Sequence, residues 1–182
     1  MPNPRSKFVN HVRTTKPMKP ADVGYDLRLL SDGDECAFRN VYDVLVDDKS
    51  IGVVIKFPKH MKGRKRGARC WERGARYWEV AHSMFEAQAV ERMHNDPKLV
   101  ALKRYAPTIL WHEPKTGVIV MPKYKAVKNS EFFKVFLRTF TNMLVDLIPE
   151  MKYEFDDAAR NFGLNRRGHY VLLDAGLLGD VK

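Results

Sequence analysis

The strongest constraint on the fold of this chain is a run of apolar side chains, spaced three and four residues apart, between residues 131 and 150. These positions fall on one face of an α-helix: Phe132, Phe133, Phe136, Leu137, Phe140, Met143, Leu144 and Leu147. Asn129 and Ser130 precede the run, and both residue types commonly cap a helix N-terminus. The spacing therefore predicts a long amphipathic helix over about 131–150 whose phenylalanines belong to the core.

Short β-branched or aromatic runs indicate β-strands in the first third of the chain. Three of them lie close together, at residues 27–30, 41–46 and 51–57. The segments between them, 31–34 and 47–50, are rich in Asp, Gly and Ser, which favour turns. Runs of this kind separated by turns predict an antiparallel meander.

The remaining elements are predicted in the same way, helices from apolar residues three and four apart and strands from short β-branched or aromatic runs. Apolar residues at helical spacing predict a helix over 77–94, which Pro97 ends. Strand-like runs at 108–112 and 117–121 predict one hairpin, and a second hairpin is predicted from Phe162–Leu164 and Tyr170–Leu173. The order of strands, helix, two strands, long helix and hairpin indicates the α+β class.

Composition excludes several classes of protein. The 182 residues are 45% hydrophobic and 30% charged, enough for one compact domain with a core, and unlike collagen, a coiled coil or a disordered tail. No apolar run approaches the length of a membrane span, and the first residues lack the apolar stretch of a signal peptide, so we expect a cytosolic protein. Cys36 and Cys70 are too few for a disulfide scaffold and are expected to be structural thiols.

Positive charge is concentrated rather than uniform. The chain has 32 Lys and Arg against 22 Asp and Glu, a net charge of +10. Eight of the basic residues fall within 59–76, which is expected to be a solvated insertion or a docking patch for nucleic acid or for an acidic partner. Trp71, Tyr77 and Trp78 in or beside this segment would stack on bases or pack into the core. Residues 1–24, rich in proline, are expected to form an extended basic arm.

Three oxygen-bearing side chains near the end of the chain are candidates for chemistry. Asp156 is followed five residues later by Asn161 and eighteen residues later by Asp174. Asn161 precedes the first strand of the second predicted hairpin and Asp174 follows its second strand, so an antiparallel pair brings them to one end. Hard oxygen ligands of this kind suit Mg²⁺, which takes one or two carboxylates from protein and completes its shell with phosphate and water.

At these residues the sequence resembles the protein kinase superfamily. The segment 156–164 is similar to the catalytic loop D-x-x-x-x-N, and 173–177 is similar to the DFG segment with Ala175 in place of Phe. Val53-Val-Ile-Lys56 resembles the V-A-I-K strand, and Glu86 lies in the predicted helix that follows it. The resemblance covers about residues 27–178.

The resemblance implies a role for each matching residue. Lys56 would contact the α- and β-phosphates of ATP and be held by Glu86, with Glu79 and Glu91 as rival partners. Asp156 would orient the attacking hydroxyl or accept its proton, while the metal ligands would be Asn161 and Asp174. Phosphoryl transfer asks a protein mainly for positioning and for positive charge, which this set supplies.

The remaining cofactor contacts implied by the resemblance concern adenine and the phosphate loop. Residues 118–124 would form the strand and hinge that hold adenine, with Met121 and Lys123 as cofactor-binding residues. The loop between the first two strands offers only Gly33, among Asp32, Asp34 and Glu35, where the family has a glycine-rich loop.

The resemblance implies a two-lobed α+β fold. Residues 25–124 would form the nucleotide-binding N-lobe, with an antiparallel sheet and one helix, and 125–182 a minimal helical C-lobe. The chain ends eight residues after Asp174, which leaves no room for an activation segment. His112 and His169 are expected to be structural, because nothing pairs them.

Two hypotheses about function follow. The first is a minimal kinase, similar to the small kinases of lytic phages, that uses ATP and Mg²⁺ to phosphorylate Ser or Thr of a protein in the host cytoplasm. The second is a pseudokinase, a binding or inhibitory protein that acts on a host protein or on nucleic acid through its basic surface. No membrane partner is expected, and the sequence leaves the oligomeric state and the substrate open.

Overall fold

The computed structural model of the chain describes residues 3–31, 39–58, 75–148 and 159–174, with the backbone alone at 75–82 and 160. The helices are α1 Pro4–Thr15, α2 Ala75–Asn95 and α3 Glu131–Leu147, with 3₁₀ turns at Pro20–Asp22, Pro97–Tyr105 and Ala159–Asn161. The strands are β1 Asp26–Ser31, β2 Arg39–Val46, β3 Lys49–Pro58, β4 Trp111–Glu113, β5 Val118–Pro122, β6 Lys125–Ala126, β7 Phe162–Leu164 and β8 Tyr170–Leu172. The predicted α+β class is confirmed.

The strands form two antiparallel sheets. The larger has the order β1-β2-β3-β5-β4, and the smaller has the order β6-β7-β8. The meander and both hairpins predicted from the sequence are present, while the two-residue strand β6 was not predicted. Among the described residues, no helix combines the length and the apolar character that crossing a membrane requires.

The chain divides into two compact units. Unit 1 comprises Met1–Met84 and Ile109–Lys123, and unit 2 comprises Phe85–Thr108 and Tyr124–Lys182. The chain therefore passes between the two units three times, at Met84–Phe85, at Thr108–Ile109 and at Lys123–Tyr124. The first 24 residues belong to unit 1, and 85–108 belong to unit 2.

The prediction of an extended arm over residues 1–24 is wrong, because Pro4–Thr15 form helix α1. Proline is compatible with the first turn of a helix, where its missing N–H has no partner to lose. The side chain of Asn3 caps this turn by accepting the N–H of Arg5 at 3.0 Å. Apolar residues at helical spacing, Phe8, Val9 and Val12, are buried and fix the helix to unit 1.

The core of unit 1 lies between α1 and one face of the five-stranded sheet. Its buried members are Phe8, Val9, Val12, Val23, Val44, Val53, Ile55, Phe57, Val118 and Val120. Successive side chains of a strand point to opposite faces. The neighbours of these residues along the strands, which include Asp43, Lys56 and Met121, therefore lie on the other face.

Unit 2 is held together by an aromatic cluster. Phe133, Phe136 and Phe140 of α3 pack against Phe162 of β7 with ring centroids 5.4–5.6 Å apart. Tyr170 of β8 stacks on Phe136 with a centroid separation of 4.0 Å. Aromatic rings bury a large apolar area each, so this cluster contributes to the core of unit 2.

Helix α3 begins where the sequence predicts, with the Ser130 hydroxyl accepting the N–H of Phe133 at 3.3 Å. It ends at Leu147, three residues before the predicted end. One predicted core residue is misplaced, since Phe132 is 86% exposed. Phe132 directly precedes the buried Phe133, and adjacent residues of a helix are separated by about 100°, so both cannot point to the centre of the core.

Candidate functional site

The hairpin β7–β8 places Asn161 and Asp174 at one end. Phe162 pairs with Leu172 in the antiparallel register, and the N–H of Leu173 donates to the C=O of Asn161 at 2.6 Å. Asn161 thus lies opposite the residue that precedes Asp174. Both residues are partly exposed. The hairpin geometry expected from the sequence is present in the backbone.

The far end of this hairpin is closed by a well-defined turn. The side-chain oxygen of Asn165 accepts the N–H of Arg167 at 2.9 Å and that of His169 at 3.0 Å. Gly168 has a φ of +79°, a conformation that glycine adopts without strain. Asn165 and Gly168 therefore fix the register that aligns Asn161 with Leu173.

Close packing also positions the hairpin within unit 2. A Cβ atom added to Gly163 would lie 2.6 Å from the Cβ of Tyr124 and 3.1 Å from a methyl group of Leu173. Only a residue without a side chain fits between β6 and β8 here. Strand β7, which directly follows Asn161, is thus closely packed at Gly163 against Tyr124 and Leu173.

The two residues at this hairpin end carry oxygen donors. Asn161 offers an amide oxygen and Asp174 a carboxylate, which are the hard ligands that Mg²⁺ prefers. The described part of the chain contains no cluster of three His, Cys, Asp or Glu that would enclose a metal by protein ligands alone. A site of two protein ligands that is completed by phosphate and water is the kind that these residues would form.

Lys56 and Glu86 are both removed from solvent within their own units. Lys56 lies on β3, paired with Val41 and Ile119, and is 6% exposed. Glu86 lies on α2 and is 0% exposed. Lysine and glutamate are rarely so buried without an opposite charge or a ligand. Of the rival carboxylates, Glu91 is exposed and the Glu79 side chain lies outside the described residues.

The two predicted adenine-binding residues lie at the end of β5 and directly after it. Met121 is 1% exposed. The backbone N–H of Lys123 donates to the C=O of Gly52 at 3.0 Å, and its ammonium lies 2.6 Å from Oδ2 of Asp43. The structure therefore gives Lys123 contacts that hold β5 to β3 and β2 inside unit 1.

Asp43 is a buried charge that sequence reasoning missed. Its Oδ2 also accepts Arg28 at 2.7 Å, and its Oδ1 accepts the Ser50 hydroxyl at 2.6 Å. Burial by itself raises the pKa of the Asp43 carboxyl, but hydrogen bonds from Lys123, Ser50 and Arg28 outweigh it and hold that pKa below its ordinary value. The sequence signal for a buried carboxylate was the position of Asp43 as the one acidic residue within the apolar run 41–46.

His112 lies on β4, in register with Ile119, which is itself in register with Lys56. Burial lowers the pKa of His112, opposed in part by the charge of Glu113. Its Nε2 is buried and has no hydrogen-bond partner within the described ranges. Burial thus favours the neutral form of His112, and His169 lies in the exposed turn of the other unit.

Several predicted residues lie outside the described ranges. They are Gly33, Asp156, Cys36, Cys70 and the basic insertion up to residue 74, including Trp71. The side chains of Tyr77 and Trp78 are outside them as well. Their proposed roles stay predictions from the sequence.

The sequence was also compared with protein-family models and with curated proteins, and it matches none of them.

Proposed function

We propose that this chain is a minimal kinase-like phosphotransferase that transfers the γ-phosphoryl group of ATP to a Ser or Thr hydroxyl of a protein. The observation that carries the proposal is the end of the β7–β8 hairpin. There the Leu173 N–H binds the Asn161 carbonyl at 2.6 Å, so that Asn161 and Asp174 share one end. This is the arrangement that the resemblance to protein kinases implies for the two magnesium ligands.

The magnesium ion would neutralise the triphosphate and hold its oxygens in place. Asn161 and Asp174 would hold it through an amide oxygen and a carboxylate. Lys56 would add a fixed positive charge at the α- and β-phosphates, with Glu86 as its partner, and Asp156 would orient the substrate hydroxyl. These roles require little covalent chemistry from the protein, because positioning of the reactants and electrostatic stabilisation of the transition state supply most of the rate enhancement in phosphoryl transfer.

The secondary structure of the chain supports the proposal. The resemblance implies an antiparallel sheet with one helix. The structure has a five-stranded antiparallel sheet, with α2 between β3 and β4 in the sequence. The strand that carries Lys56 is central in this sheet, and Lys56 is the one lysine among the buried residues of the described ranges. A buried lysine at this strand position favours a role in binding an anion over a role on the surface.

The proposed substrate is a protein of the host of a lytic phage, by similarity to the small kinases that such phages encode. This part of the proposal rests on the resemblance alone.

Transfer of radiolabel from γ-labelled ATP tests the catalytic claim. Wild-type protein should label itself or a protein in a bacterial lysate when Mg²⁺ is present. Asp174→Ala should reduce labelling by at least about a hundredfold, because the developing charge loses its metal. Asp146→Ala removes an exposed carboxylate of α3 and should leave labelling unchanged. Equal labelling by wild type and Asp174→Ala would contradict the proposal.

Nucleotide binding is measured separately by the shift in melting temperature on adding ATP. A ligand that binds only the native state raises the melting temperature. The shift should require Mg²⁺ and should be smaller in Asn161→Ala. If ATP raises the melting temperature but no label is transferred, the pseudokinase hypothesis is favoured. If ATP gives no shift at millimolar concentration, the nucleotide-binding proposal is wrong.

A further inference from the structure

Helix α1 presents a wholly polar side to the solvent. Its apolar residues, Phe8, Val9 and Val12, are buried. The exposed residues of its other side form rows three or four positions apart, so they are neighbours on the helix surface. They are Ser6, Lys7, Asn10, Arg13 and Thr14. We call these five residues the α1 polar face, which contains no apolar side chain and no carboxylate.

The charges around the α1 polar face leave a positive excess. Residues 1–21 contain five Lys or Arg and no Asp or Glu. Two acidic residues of the described ranges form ion pairs with lysines that follow α1: Glu113 with Lys16 at 3.7 Å, and Asp22 with Lys19 at 3.8 Å. Counting both carboxylates, three positive charges remain, with histidine neutral. Neither ion pair includes Lys7 or Arg13.

The other exposed carboxylates that the structure describes in unit 1 lie away from α1. Asp47 and Asp48 form the turn between β2 and β3, and Asp26 begins β1. Asp26 and Asp47 line one cavity of about 540 Å³, and no residue of α1 contributes to its lining. These carboxylates form no ion pair with Lys7 or Arg13.

Arg13 is held in place by the backbone of another element. One of its guanidinium nitrogens donates to the C=O of Leu110, directly before β4, at 3.2 Å. A guanidinium has five N–H donors in a fixed plane, so the remaining donors of Arg13 stay available at the surface. A side chain that is already ordered in this way loses less conformational entropy when it binds an anion.

We propose that the α1 polar face binds double-stranded DNA through the phosphates of its backbone. Lys and Arg neutralise phosphates, and Ser and Asn side chains donate hydrogen bonds to phosphate oxygens. The α1 polar face offers Lys7 and Arg13 for the first kind of contact, and Ser6 and Asn10 for the second. Contacts to phosphates carry no base information, so this binding is independent of DNA sequence. The proposal is also independent of the phosphotransferase activity.

The composition of the α1 polar face argues against other partners. The centre of a protein–protein interface is enriched in aromatic side chains and depleted of charge, whereas this face has two charges and no apolar residue. Single strands bind by stacking their bases on aromatic side chains, and a membrane-binding helix requires an exposed apolar side. The major groove of B-form DNA is wide enough to admit an α-helix, whereas that of A-form RNA is deep and narrow.

Fluorescence anisotropy of a labelled DNA duplex, titrated with the full-length protein, tests the proposal. Wild type should bind with an affinity that falls as salt is added. The double variant Lys7→Ala, Arg13→Ala should bind about tenfold more weakly, and the slope of log affinity against log salt should decrease by about two. The double variant Lys98→Ala, Lys103→Ala is the matched control. It removes the same charge from exposed positions of Pro97–Tyr105 and should change affinity by less than about twofold.

Asn10→Asp is a second variant, which places a carboxylate in the α1 polar face without removing a basic residue, and it should also weaken binding. Melting temperatures verify that each variant is folded. The proposal is overturned if wild type binds no duplex, or if the α1 variants bind it as wild type does. It is also overturned if the control loses as much affinity as Lys7→Ala, Arg13→Ala, because net charge alone then explains binding. Duplex RNA, single-stranded DNA and polyglutamate serve as alternative probes. Tighter binding of any of them, with the same dependence on Lys7 and Arg13, would assign the face to that ligand instead.

Discussion

The ammonium of Lys123 lies 2.6 Å from Oδ2 of Asp43, a carboxylate that is completely buried in the five-stranded sheet. Arg28 binds the same oxygen at 2.7 Å, and Ser50 donates to the other at 2.6 Å. The four residues lie on or next to different strands, so one buried charge ties β1, β2, β3 and the end of β5 together. Lys123 is also the last residue of unit 1 along the chain.

Replacing Asp43 by Ala should lower the free energy of unfolding by about 1–3 kcal/mol, because Ser50, Lys123 and Arg28 lose the carboxylate to which they donate, while the two cations keep part of their contact with water. Asp43→Asn should be less harmful, since the amide oxygen still accepts a hydrogen bond. Urea denaturation followed by circular dichroism measures both variants. Glu131→Ala is the control, because it breaks the exposed ion pair with Lys134 and should cost less than about 1 kcal/mol.

Acid titration provides a second measurement on the same carboxylate. The folded state holds the pKa of Asp43 below its ordinary value of 3.8, so its contribution to stability is present above that pH and is lost as the pH falls through the folded-state pKa. Wild type should therefore lose more stability than Asp43→Asn on acidification below about pH 4. Parallel acid curves for the two proteins would contradict the ion-pair interpretation.

His112 should make stability depend on pH in a different range. Burial lowers its pKa below the ordinary value of 6.5, so the unfolded state takes up a proton at a higher pH than the folded state does. Stability from this residue is present above about pH 6.5 and is lost as the pH falls. Unfolding free energies measured from pH 8 to pH 5 should decline more in wild type than in His112→Gln. A steeper decline of the unfolding free energy in the variant would contradict the lowered pKa of His112.

Phe8 should anchor helix α1 to unit 1. The side chain is completely buried, and its ring meets the ring of Tyr25 edge to face at 5.0 Å. Phe8→Ala should lower the free energy of unfolding by about 3–5 kcal/mol through lost burial and the cavity that remains. Lys7→Ala, at an exposed neighbouring position, should change it by less than about 0.5 kcal/mol. A loss of less than 1 kcal/mol for Phe8→Ala would mean that α1 packs only weakly on the sheet.

Elements whose signals are local could be predicted from the sequence. Helix α3 has a capping serine and a strong apolar periodicity, and the β7–β8 hairpin has a turn that begins at Asn165 and ends at Gly168, so both were found close to their observed positions. The same local hairpin made the juxtaposition of Asn161 and Asp174 predictable. Their spacing in the sequence, together with antiparallel pairing, is enough to bring them to one end.

Helix α1 was missed although its signals are local, because its prolines favoured an extended arm over the helical spacing of Phe8, Val9 and Val12.

Features that depend on distant contacts were also missed. The ion pair of Asp43 with Lys123 joins residues 80 positions apart, and only the register of the sheet brings them together. The apolar run of α3 covers more of the helix than its neighbours can bury, so periodicity alone did not reveal that Phe132 is exposed.

Gly163→Ala tests how closely packing controls the candidate metal site. The added methyl would lie 2.6 Å from the Cβ of Tyr124, a backbone-linked atom that cannot rotate away, so β7 must shift. We expect a loss of about 1–3 kcal/mol in the free energy of unfolding. Because Asn161 lies two residues before the clash, Mg²⁺-dependent binding of ATP should weaken at temperatures where the variant remains folded. Calorimetric titration of folded Gly163→Ala with Mg²⁺-ATP provides the measurement. An unchanged affinity for Mg²⁺-ATP despite the loss of stability would show that the packing of β7 at Gly163 does not affect binding of the metal and nucleotide.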